Sequence, residues 1–125
     1  MSYELLKKRA LSFLRNAKND YEQNDYDLVL FHIEQFIQIY TKYLLYKKIG
    51  GYPKTHSIIR LLKDLAKVYE SKELETFLDQ NLEGLYLLEE AYVSSRYLPR
   101  EYDRDIADRI LKLGEKILEV FKCLE

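Results

Sequence analysis

At 125 residues, 47% hydrophobic and 33% charged, the chain can bury one adequate core and is expected to form one domain over residues 1–125. Four glycines, two prolines and no tryptophan leave little turn material for a sheet protein, so the composition predicts an all-α fold. A formal net charge of −1 excludes attraction of nucleic acid by the chain as a whole and leaves that role to a local patch.

Ser2 is positioned as an N-cap, with Glu4 in the first turn. Leu6, Ala10, Phe13, Leu14, Ala17 and Tyr21 follow the helical period, which predicts a first helix ending near Tyr21. Asn19 to Asp25 is polar, and Asp25 or Asp27 can cap the next helix. That second helix is the longest, about Tyr26 to Lys48. Its stripe of Val29, Ile33, Phe36, Ile37, Tyr40 and Leu44 is widened by Leu28, Phe31 and Ile39. A helix apolar around more than half its girth lies at the centre of a fold or against a second subunit.

Gly50-Gly51-Tyr52-Pro53 ends it, with glycine suited to a left-handed C-cap. Thr55 or Ser57 caps a third helix with Ile58, Leu61, Leu62, Leu65 and Tyr69 on one face. Ser71 opens a short segment carrying Leu74, Phe77 and Leu78. Asn81 opens a fifth helix, with Leu85, Leu88 and Tyr92, which Pro99 stops. Asp103 caps the last, where Ile106, Ile110, Leu113, Ile117, Val120 and Leu124 recur, and Asp105–Arg109 and Asp108–Lys112 are i,i+4 pairs. The expected architecture is an antiparallel up-and-down bundle of four long helices plus one or two short ones.

No apolar run reaches the ~18 residues of a membrane span. The start, Ser2-Tyr3-Glu4 and an amphipathic helix, does not read as a signal peptide, so the expected location is cytoplasmic, with no membrane partner. One thiol, Cys123, builds neither a disulfide nor a thiolate metal site within one chain. His32 and His56 lack a third ligand at metal spacing, so no metal and no cofactor is expected. Lys7, Lys8, Arg9, Arg15 and Lys18 make the first helix basic, the best candidate for a phosphate backbone. Glu73, Glu75, Asp79, Glu83, Glu89 and Glu90 form a run without basic residues, read as a solvated face or a dock for a basic partner. Twelve tyrosines are many. Tyr40, Tyr43, Tyr46 and Tyr52 cluster near the end of the second helix, where some can line a dimer interface or a base-stacking cleft.

The most informative stretch is Tyr92-Val93-Ser94-Ser95-Arg96-Tyr97-Leu98-Pro99-Arg100. A guanidinium at the end of a helix is held by it yet free to reach a phosphate or carboxylate. Arg96, supported by Tyr97 and Arg100, reads as a phosphate clamp, or else as an ion pair to Asp103 or Asp105. His56, at a helix start, reads as a phosphate or carboxylate contact, or as loop packing. His32 sits among Phe31 and Phe36 and reads as a histidine satisfied by a hydrogen bond.

Phe31-His32-Ile33-Glu34-Gln35-Phe36 followed by Lys42-Tyr43-Leu44-Leu45 resembles the F-x-x-E/Q-Q-A/F and K-A-L-L elements of HEPN domains, the nucleotide-binding domains of higher eukaryotes and prokaryotes. Pro53-Lys54-Thr55-His56-Ser57-Ile58 with Leu61-Leu62 is similar to that family's P-x-T-H-x-[IL]-x-x-L-L segment. Tyr92 to Pro99 looks like its Y-x-x-x-R-Y-P element. Here Leu98 intervenes before the proline, and Gln38 stands where an acidic residue is usual. The resemblance implies a helical bundle that forms homodimers, often paired with a minimal nucleotidyltransferase in toxin–antitoxin-like modules. Some members are metal-independent endoribonucleases with an R-x(4–6)-H motif.

After Arg96 no histidine follows within six positions. The family's histidine would move a proton near neutral pH, and Tyr102, a phenol of pKa ~10, is a poor substitute. The expectation therefore leans away from an enzyme, with no catalytic residue assigned. Expected instead is a nucleotide- or RNA-binding homodimer, partner of a minimal nucleotidyltransferase, with Arg96, Tyr97, Arg100 and His56 as the phosphate or nucleotide site. The alternatives are an endoribonuclease that uses Arg96 with a non-standard proton-transfer residue, and a purely structural interaction module.

Overall fold

The computed structural model describes residues 3–97 and 100–125, with only the backbone of Ser95 and Arg96. The expected Ser2 cap, the Pro99 stop, Leu98 and the Arg96 side chain lie outside the described residues. Five helices form: α1 (Glu4–Glu22), α2 (Tyr26–Ile49), α3 (Ile58–Val68), α4 (Lys72–Tyr97) and α5 (Arg104–Leu124). No strand occurs among the described residues, and no helix there is long and apolar enough to cross a membrane.

Several ends follow local rules. Gly50 closes α2 at φ 77°, in the left-handed region where a Cβ is penalised. Ser57 caps α3 by accepting from the Arg60 amide, while Thr55 Oγ1 takes the Ser57 amide at 3.1 Å. Asp103 caps α5 by accepting from the Ile106 amide at 2.9 Å. Asp25 holds the N-cap position of α2, but its side chain makes no capping bond. Of the two pairs expected on α5, Asp108–Lys112 forms, at 2.9 Å, and Asp105–Arg109 does not.

The segment opened by Ser71 and the helix expected from Asn81 both form, and they adjoin without a loop, as the two arms of α4 on either side of a kink. Ser71 Oγ accepts from the Leu74 amide, as a cap should. Asn81 departs from helical geometry (φ −124°, ψ 19°), and its Nδ2 donates to the Phe77 carbonyl at 2.9 Å. A side chain that bonds the carbonyl four residues back competes with the backbone ladder and bends the helix without ending it.

α2 packs against all four other helices. Residue pairs give the directions. Tyr3 meets Tyr43 and Asp20 meets His32, so α1 and α2 are antiparallel. Phe31 stacks on Tyr92, and Ser57 at the start of α3 meets Glu89 of α4. Gly114 approaches Ile33 while Phe121 stacks on Tyr40, so α5 runs parallel to α2. The four long helices thus alternate up and down, with short α3 laid across one side. The core centres on Phe36, Tyr40 and Phe121, with Tyr40 and Phe121 rings 4.7 Å apart. Tyr40 and Tyr43 are therefore core residues, not interface rings. Their hydroxyls donate to the Glu125 carboxylate at 2.6 and 3.1 Å, and Lys7 joins it at 2.9 Å. Burial and that carboxylate push the Tyr43 phenol up to about 12.

The central position of α2 also buries polar groups. Glu34 is fully buried, accepting from Gln35 Nε2 at 2.8 Å and Gln38 Nε2 at 3.0 Å. Burial pushes its carboxyl from 4.5 up to about 7, against the two amide hydrogen bonds, and the Glu89 charge adds to the rise.

A Cβ on Gly114 would lie 2.8 Å from Ile33 Cδ1, where α5 meets α2. Gly114→Val should therefore destabilise by about 1–3 kcal/mol in urea unfolding through overpacking. For Glu34, the folded carboxyl titrates above the unfolded one. Its contribution is intact below pH 4.5 and is lost as pH rises toward about 7. Glu34→Gln should leave stability unchanged near pH 4 and raise it by up to about 3 kcal/mol at pH 8. Parallel curves for the two proteins across that range would contradict this.

Candidate functional site

The buried amides of α2 connect to the surface. Gln38 Nε2 holds Glu34; its Oε1 accepts from Lys42 Nζ at 3.1 Å and lies 3.4 Å from His56 Nδ1. The glutamine that departs from the family pattern therefore links the buried carboxyl to the loop before α3. The His56 ring is 5.8 Å from Tyr92, whose ring lies parallel to that of Phe31 and offset from it, 6.2 Å between centroids. His56 is thus braced from beneath by the two longest helices.

The start of α3 carries a helix's positive end, with free amides that attract an anion. Here the anion is internal. Glu89 Oε2 accepts from Ser57 Oγ at 2.6 Å and from the Ile59 amide at 3.1 Å, while Ser57 Oγ takes the Arg60 amide. The carboxylate at this helix end, Glu89 of the acidic run, is held by Ser57 and the Ile59 amide and not by His56, the residue expected to make such a contact. That leaves the imidazole of His56 beside the capped helix rather than on it.

His56, Ser57, Glu89, Tyr92, Val93 and Tyr97 line an open cavity of about 330 Å³ between the start of α3 and the last turns of α4. Tyr97 is 78% exposed and Val93 56%, so the cavity has an apolar, aromatic wall next to one carboxylate and one imidazole. Such a wall accepts a flat ring, and the polar groups orient it.

The four residues read as a site divide. His56 and Tyr97 share this cavity, and Arg96 precedes Tyr97 in the same helical turn. Arg100 lies elsewhere: it pairs with Glu90, its guanidinium sits 5.8 Å over the Tyr102 ring, and it lines a groove with Asn24 to Asp27. His32 is satisfied internally, with Nδ1 2.5 Å from Asp20 Oδ2 and its ring stacked on Phe13. Of the basic first helix, Lys7 is tied to Glu125 and Arg15 to Ser12. Sequence reasoning missed Ser57, Glu89 and Tyr92 as cavity residues. Nothing in the spacing distinguishes Glu89 from the other acids of its run.

A model of the HEPN domain family matches residues 3–124. No curated protein matches the chain. Among solved structures, the chain is similar to the crystal structure of TT1696 from Thermus thermophilus. The two are 22% identical over 98% of each chain with a TM-score of 0.77, a likeness of fold. The family match spans nearly the whole bundle, including the loop that carries His56 and the end of α4 that carries Arg96, and the chain belongs to the HEPN domain family.

Proposed function

We propose that this HEPN domain binds a nucleotide or the end of an RNA without cleaving it, as the partner of a minimal nucleotidyltransferase in a toxin–antitoxin-like module. The observation that carries this reading is the aromatic cavity between α3 and α4, with Arg96 in the same turn as its Tyr97 wall. A base stacks on the exposed Tyr97 ring. Glu89 Oε1, without a hydrogen-bond partner among the described residues, accepts from a ribose hydroxyl or a base N–H. Arg96 supplies the charge for the phosphate, which the Glu89 carboxylate keeps away from the helix start. No histidine follows Arg96, which argues against the family's R-x(4–6)-H reaction.

A second reading, metal-independent endoribonuclease, is favoured by one observation: His56 lines the same cavity, so an imidazole reaches it from α3. One pair of assays separates the two. For the binding protein, uridine 5′-monophosphate raises Tm, and Tyr97→Ala weakens binding about 5- to 150-fold, the worth of one stacked base. Single-stranded RNA stays intact in EDTA. Cleavage in EDTA that both Arg96→Ala and His56→Ala abolish would select the nuclease instead. Neither binding nor cleavage would leave a structural module.

The domain is further proposed to act as a homodimer. Tyr46, Ile49 and Tyr52, all exposed at the end of α2, support this, since a second copy would cover them. Light scattering should give twice the 15.1 kDa chain mass, and Ile49→Glu should give a monomer. A wild-type monomer at every concentration would contradict the dimer.

A further inference from the structure

The outer face of α3 carries three cations in register. Arg60, Lys63 and Lys67 stand at i, i+3 and i+7, spanning about 10 Å of helix, and none is ion-paired among the described residues. With Tyr86 of α4, 57% exposed, they line a groove of about 410 Å³. The groove holds two acids beside the three cations, so its lining stays net positive. Glu89 is held by Ser57 and the Ile59 amide, and Asp64 is the one acid within the α3 stripe. Asp79 and Glu83, although on α4, line the opposite groove, against α5. Of α4, Tyr86 and Glu89 face the cations, while Asp79 and Glu83 face the other side. In a chain of net charge −1, this is a local concentration of positive charge.

The groove is continuous with the cavity of His56 and Tyr97, because Ser57 and Glu89 line both. A row of cations beside an exposed ring, leading from an aromatic pocket, is the arrangement that holds a single strand: charges track phosphates and rings stack bases, with little sequence preference. Resting on the cavity as a nucleotide site, we propose that the α3–α4 groove is a track for single-stranded nucleic acid. The terminal nucleotide sits at Tyr97, and the following phosphates lie along Arg60, Lys63 and Lys67, with Tyr86 stacking a second base. The full ligand is thus an oligonucleotide, of which a mononucleotide fills only the Tyr97 end.

Fluorescence anisotropy with a labelled uridine octamer, competed by uridine 5′-monophosphate and repeated from 50 to 300 mM salt, tests this. Three neutralised phosphates should make the octamer's log–log salt slope steeper than the mononucleotide's by about 2, at ~0.7 per charge on a single strand. Lys63→Ala should remove about 0.7 of that slope. Tyr86→Ala should weaken the octamer at least about 5-fold and leave the mononucleotide unchanged. Replacing Lys8, Arg9 and Arg15 of α1 by alanine should change neither. A mononucleotide that binds as tightly as the octamer, with slopes indifferent to α3 substitutions, would overturn the track and leave the cavity standing. An octamer whose slope depends on α3 while no mononucleotide binds would uphold the track and remove the cavity. Oligoglutamate binding as tight as the octamer and insensitive to Tyr86→Ala would overturn it in favour of a protein-docking face. Binding of none of these ligands would overturn both.

Discussion

The carboxylate of Glu89 joins the start of α3 to the later half of α4, and the face that carries the candidate site is arranged around that joint. One oxygen accepts from both the Ser57 hydroxyl and the Ile59 amide, at 2.6 and 3.1 Å. A charged acceptor on helix N-terminal donors is among the stronger hydrogen bonds a protein makes, and here it also answers the dipole of α3. Its consequence is geometric. α3 is short and is held across the bundle, with His56 just ahead of it and its cationic face beside Tyr86. It is also electrostatic, because the helix end that would draw a phosphate is already occupied. In the proposed binding mode a phosphate is therefore met by side-chain cations, Arg96 and the α3 stripe, rather than by this helix end.

A second constraint comes from α2. A helix packed on by every other helix has few places for polar groups, yet it buries Glu34, Gln38 and Thr41. Each must be satisfied within the fold. Thr41 bonds back to the Ile37 carbonyl at 2.7 Å, and Glu34 keeps a proton to near neutrality because burial disfavours its charge. Gln38 spends its donor on Glu34 and offers its acceptor toward Lys42 and His56. An acidic residue there would set a second buried carboxylate against Glu34. The amide instead links the core to the cavity without adding charge, which gives the departure from the family pattern a physical reason.

Much of the bundle was legible because it depends on local rules. Gly50 in the left-handed region, Ser57 and Asp103 as caps, and the central character of α2 follow from residue type and periodicity. The break at Asn81 was legible too, but not that the two arms adjoin without a loop, since an asparagine that caps and an asparagine that bends a helix look alike in sequence. Tyr40 and Tyr43 could not be told from surface tyrosines, because their partner, Glu125, lies more than eighty positions away. Of the candidate site, part of the grouping was legible. His56 and Tyr97 meet in one cavity, whereas Arg100 is drawn off to Glu90 and Tyr102. Glu89 and the Arg60–Lys63–Lys67 face escaped notice because their meaning comes from the packing of α3 on α4.

The central claim is that ligand recognition is seated between the start of α3 and the end of α4. It is tested most directly by backbone amide NMR during titration with uridine 5′-monophosphate. The account predicts shifts confined to His56, Ser57, Tyr92, Val93 and Tyr97 and their immediate neighbours, with the α4 kink and the α5 face silent. Shifts centred on Asn81, Arg109 and Lys116, or none at saturating nucleotide, would contradict it.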